Sequence, residues 1–104
     1  MKLLTKALRD AIPAIGAQDG NKNPMVYVKF FTPWSSWTWY ATEGEAVEDD
    51  PKDFLFFGYV QGMENEWGYW RLSDLEPVRG PAGLKIERDA WLDPTPIKSL
   101  IPNL

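Results

Sequence analysis

Residues 25–42, MVYVKFFTPWSSWTWYAT, decide the fold. Val26 to Thr32 and Trp37 to Glu43 read as two strands, because β-branched and aromatic residues suit a pleated, half-buried surface. Pro33, Trp34, Ser35 and Ser36 form the connection. Fourteen of the fifteen aromatic residues lie between Tyr27 and Trp70, so this hairpin and the strands that follow it must carry the core.

Working outward, Phe54 to Val60 and Glu66 to Leu72 read as a third and fourth strand joined by QGMEN, with Gly62 in the turn. Leu84 to Arg88 is a further short extended segment. Before the hairpin, Leu4, Ala7, Leu8, Ala11, Ile12 and Ile15 recur at helical spacing; Thr5 can cap a helix from Lys6, and Pro13 stops it after about two turns. Gly16 to Pro24 is a polar loop. Gly44 to Asp53 reads as a solvated acidic loop; Glu48, Asp49, Asp50 and Asp53 lack the spacing of a calcium loop, so a cation site there is weakly signalled. Ser73 with Glu76 has the pattern of a helix cap. The tail WLDPTPIKSLIPNL is proline-rich and irregular, although Ile97, Leu100 and Ile101 can dock as one helical turn. The expectation is one α+β domain over residues 1–104: a four- to five-stranded antiparallel meander sheet, a short N-terminal helix on one face and an irregular C-terminal segment.

Composition narrows the chemistry. The chain has no cysteine and no histidine, which removes disulfides, thiolate nucleophiles and the commonest general base and metal ligand. No cofactor is expected. Lys6, Arg9 and Asp10 interrupt the N-terminal apolar stripe, and no run reaches the roughly 18 to 20 apolar residues that span a bilayer, so a cytoplasmic protein away from membranes is expected. Net charge is −4, and residues 31–76 alone, with two basic and ten acidic side chains, carry −8. That balance disfavours nucleic acid as the partner.

Alternation splits each strand into two faces. Val26, Val28, Phe30, Trp37, Trp39, Ala41, Phe56, Gly58, Val60, Trp70 and Leu72 form an apolar side for the helix to cover. Opposite them fall Tyr27, Lys29, Phe31, Thr38, Tyr40, Thr42, Phe57, Tyr59, Tyr69 and Arg71, with all four tyrosines among them. Phenolic rings beside cations suit a partly wet surface, so Tyr27, Lys29, Tyr40, Tyr59, Tyr69 and Arg71 are the candidate binding residues, together with Trp34 at the hairpin tip. Two arrangements stay open: the C-terminal segment lies across this face, or the face is free. Trp34 is likewise either exposed or folded back.

The segments VKFFTPWSSWTWYATE, FFGYVQGMENEWGYW and LSDLEPVRGPAGLKIERD, with the opening MKLLT, resemble domain-of-unknown-function family 2958 from Met1 to about Pro96. Its typical VKFF, SWTWY and RG coincide with Val28 to Phe31, Ser36 to Tyr40 and Arg79 to Gly80, whereas Trp34 departs from the simpler residue common after the first strand. The resemblance implies a gene of bacterial plasmids, integrative elements or phages, near antirestriction and DNA-transfer genes, and brings no catalytic residues. A small non-enzymatic protein that binds a protein partner, such as a host defence or DNA-processing protein, is therefore expected. The alternatives are single-stranded nucleic-acid binding by the tyrosine face, and hydrolysis by carboxylates such as Glu43 and Glu45.

Overall fold

A computed structural model describes residues 1–104. Helix α1 spans Lys6–Ala11, and strands β1 and β2 span Met25–Val26 and Val28–Phe31. Strands β3 (Thr38–Val47), β4 (Asp50–Gln61) and β5 (Asn65–Arg71) then form an antiparallel meander with β2. After a one-turn helix, α2 (Leu72–Leu75), the chain returns so that β6 (Glu87–Arg88) pairs outside β2. The sheet order is β5-β4-β3-β2-β6. Strand β7 (Thr95–Pro96) pairs with β1 as a separate ribbon and leads into α3 (Ile97–Leu100). The α+β architecture and the meander are as expected from the sequence.

The first face holds the main core. Val28, Phe30, Ala41, Phe54, Phe56 and Trp70 lie on it, roofed by Leu4, Ile12, Leu72, Leu75 and Ile86. Phe56 is the hub, with Phe30 edge-on at 5.3 Å, Phe54 at 5.1 Å and Trp70 stacked at 5.5 Å between ring centroids. The N-terminal helix covers this side because its spacing puts Leu8 and the following Ile12 on one stripe, and Thr5 Oγ1 accepts the Leu8 N–H at 3.2 Å as its cap. Arg9 fastens the helix to β4: its guanidinium donates to the carbonyls of Pro51, Lys52 and Asp53 and lies 5.2 Å from the Phe54 ring centroid.

Several local expectations are corrected. Val26 to Thr32 is not one strand; it breaks at Tyr27. Val26 and Val28 are both fully buried but in different clusters, so two residues of equal parity serve opposite sides and the chain must cross between them. Tyr27, whose N–H donates to the Ala41 carbonyl, consequently packs against the main core and not with the other tyrosines. The acidic loop is a hairpin: β3 runs on to Val47 and β4 starts at Asp50. A register shift between Ala41 and Glu43 makes Thr42 a bulge residue, with Phe57 opposite Glu43. Trp37 precedes β3 and stacks on Trp39 at the rim, partly exposed. The tail is ordered through β7 and α3, with Ile97 and Ile101 buried as one docked turn.

Ser73 is not a cap. Leu72 opens α2, and Asp74 accepts the Arg71 N–H at 2.9 Å. The Ser73 hydroxyl and N–H both donate to the buried Asp53 carboxylate, at 2.7 and 3.0 Å, and the Phe54 N–H adds a third bond at 2.8 Å. Burial alone would push this carboxyl up, but those donors and the Arg71 guanidinium 3.9 Å away outweigh it and hold Asp53 below its ordinary value of 3.8. A depressed carboxyl stabilises the fold above its unfolded pKa, and that stability is lost as pH falls through the lower folded value. Acid titration should show it: Asp53→Asn is expected to cost about 1 to 3 kcal/mol at neutral pH and to flatten the acid limb below about pH 4.

Candidate interaction surface

The second face is half covered. Ile97 and Ile101 of the C-terminal segment press on Val26 and Tyr40, with Tyr59, Leu92, Leu100 and Leu104 around them. The cover is held by backbone as well: the Ile97 N–H donates to the Pro24 carbonyl, and the Lys98 N–H to Asn23 Oδ1. Tyr40 is thereby buried, its hydroxyl donating to Gln61 Oε1 at 3.0 Å, and burial pushes the phenol pKa up. Lys29 stands over the same ring at 5.7 Å from its centroid.

What remains open is the side of β4 and β5. Phe57 stacks on Trp67 at 5.9 Å and meets Tyr69 at 4.9 Å, and Tyr59 is edge-on to Trp67 at 5.3 Å. Trp67 is 42% and Tyr69 63% exposed. Arg71 continues the row in β5, with the same parity as Trp67 and Tyr69. Of the seven residues proposed from sequence, Tyr59, Tyr69 and Arg71 come together here. Lys29 and Tyr40 lie beneath or beside the C-terminal cover, and Tyr27 is on the other side. Trp34 folds back: a methyl group added at Gly80 would sit 2.3 Å from its indole, so the ring rests on that glycine and against the main core. Trp67 was missed, though its spacing of two from Tyr69 was a sufficient signal.

The strip borders a free sheet edge. Nothing pairs with the outer side of β5, while the opposite edge is the two-residue β6. Strand β5 contains no proline or lysine and pairs with β4 along its full length without a bulge; its charged residues, Glu66 and Arg71, stand toward its two ends and leave Trp67 to Trp70 without edge protection. The Gly62 N–H bonds to the Glu64 carbonyl across the turn, so alternation turns Glu66, Gly68 and Trp70 toward β4 and leaves the N–H and C=O of Trp67 and Tyr69 pointing outward.

The inner border of the strip is the 16–24 loop, pinned by Glu43. This buried carboxylate accepts the Gly16 N–H at 2.8 Å and the Gln18 N–H at 2.7 Å, and the Gln18 amide in turn bonds to Met25 and to the Thr42 carbonyl. Both Glu43 oxygens are thus engaged by backbone. Asp53 is likewise committed, and no three acidic side chains of the β3–β4 hairpin gather into a group able to hold a metal ion. No helix is long and apolar enough to cross a membrane.

Fold and surface together define a small α+β protein: a five-stranded antiparallel sheet, covered on one face and half covered on the other, with an aromatic strip beside an open edge strand. The family model described as "Protein of unknown function (DUF2958)" matches residues 3–100, and the chain belongs to that family. No curated protein and no solved structure matches it.

Proposed function

We propose that this chain is a non-enzymatic interaction protein of a bacterial mobile genetic element, acting in the cytoplasm, that takes a protein partner on the β5 edge and its aromatic strip. The observation that carries this reading is the exposure of Trp67 and Tyr69 on an edge strand whose outward backbone groups are unpaired. An extended segment of a partner can add to such an edge through main-chain hydrogen bonds, while exposed aromatic rings supply the contact area that dominates interface energetics. The mobile-element setting is what the resemblance implies, and a host defence or DNA-processing protein is the partner class in keeping with it. The acidic centre of the chain, −8 over residues 31–76, would complement a phosphate-binding surface on such a partner.

Single-stranded nucleic acid has less support as the ligand, because Tyr40 is covered and Tyr27 lies on the other side. Hydrolysis has less again, since Glu43 is spent on the 16–24 loop. Affinity purification from cells carrying the element, with wild type beside the Trp67→Ala/Tyr69→Ala double variant, tests the reading. A protein held by wild type and released by the variant is expected, with about 2 kcal/mol or more lost for each ring. Equal recovery by both proteins, or binding of labelled oligonucleotide in place of any protein, would overturn it.

A further inference from the structure

On the main-core side, on the face of the sheet opposite the aromatic strip, a pocket of about 520 Å³ opens between the N-terminal segment, α2 and the chain around Lys85. Its charged lining is Lys2, Lys6, Arg9, Lys52, Lys85 and Glu76. Five of the eleven basic side chains of the protein gather here against one of the fifteen acidic ones, a local balance of +4. The remaining six basic and fourteen acidic residues make −8, so the pocket runs counter to the rest of the molecule.

Few of these cations are neutralised within the protein. Lys6 pairs with Asp10 at 2.7 Å, and the one other ion pair within 4.0 Å is Arg71 with Asp53. Lys2, Lys52 and Lys85 are exposed and have no carboxylate at that distance. Arg9 spends its donors on the carbonyls of Pro51, Lys52 and Asp53, which fixes an uncompensated positive charge in the wall. Arg88 holds the N-terminal segment in place by donating to the carbonyls of Lys2 and Leu3. Like charges drawn from sequence positions this far apart repel one another, and the core beneath does not need them. Between them the floor is aliphatic, formed by Leu4, Leu72, Leu75 and Ile86.

We propose that this pocket binds an acidic peptide segment carrying an aliphatic anchor, the carboxylates meeting the cationic rim and the anchor meeting the leucine and isoleucine floor. Charge complementarity selects an anionic ligand. The absence of any aromatic side chain from the lining selects peptide over single-stranded nucleic acid, which is held chiefly by stacking its bases on such rings. The site is independent of the β5 edge, and the two can fail separately.

Fluorescence anisotropy on the whole chain tests it, using a labelled peptide of Glu and Asp residues with two central leucines. Binding is expected to weaken with added salt. It should fall about tenfold or more for Lys2→Glu/Lys85→Glu, and again when the leucines are replaced by serine, but stay unchanged for Trp67→Ala. Lys52→Glu provides a second charge reversal at an exposed position, and circular dichroism checks that each variant is folded. No binding at low salt, indifference to both charge reversals, or displacement of the peptide by an oligonucleotide of equal charge would overturn the assignment.

Discussion

Gly58→Ala is expected to destabilise the fold severely. Gly58 is buried in the middle of β4, opposite Ala41 and Gly68, where the Thr42 bulge brings β3 and β4 together. A methyl group there would lie 1.8 Å from the Tyr40 carbonyl oxygen and 3.0 Å from the Ala41 Cα. Both are main-chain atoms of the neighbouring strand, so no side chain can rotate out of the way. The two longest strands would have to part along their shared ladder. The expected loss is at least about 3 kcal/mol, a large share of the roughly 5 to 15 kcal/mol that holds a domain of this size. Urea unfolding monitored by tryptophan fluorescence would measure it; a midpoint equal to wild type would show that β3 and β4 separate at little cost. Gly68→Ala is the matched control, because a methyl group at that position meets nothing within 4 Å.

Phe56→Ala should be nearly as damaging, for a different reason. Phe56 is fully buried and touches three other rings, so the substitution leaves a cavity walled by Phe30, Phe54 and Trp70. Truncating a core phenylalanine costs about 3 to 5 kcal/mol, and the lost edge-on and stacked pairs put this site at the upper end. Because the stacked neighbour is Trp70, its emission should shift in the folded variant as well. Phe57→Ala, one residue along and on the open face, should cost clearly less, since Phe57 is only half buried.

The contrast between Phe56 and Phe57 was legible without a structure. Strict alternation assigned Phe30, Ala41, Phe56 and Trp70 to one side and Lys29, Tyr40, Tyr59 and Tyr69 to the other, and register bears that out. The reading failed where alternation is interrupted. Val26 and Val28 look equivalent in a list of alternating residues, yet the first is buried by Ile97 and Ile101, more than seventy positions downstream, and no local pattern announces that cover. The 44–53 hairpin was hidden by its charges and Pro51: its outer turn lies at the end of the sheet, where strand pairing proceeds without an apolar side to bury. Asp53 with Ser73, and Trp34 with Gly80, are likewise partners set by the return of the chain, not by spacing. Trp67 was legible and overlooked; the basic pocket was not legible, because its cations come from three distant stretches.

The pairing of β7 with β1 and of β6 with β2 ties late residues to early ones, Thr95 to Val26 and Arg88 to Phe30. Val26 and Tyr40 are covered only when Ile97 and Ile101 dock on them, so the second face depends on contacts between segments far apart in the sequence. A chain in which the last helical turn is undocked displays an apolar patch that the folded protein hides, and closures between distant segments form slowly.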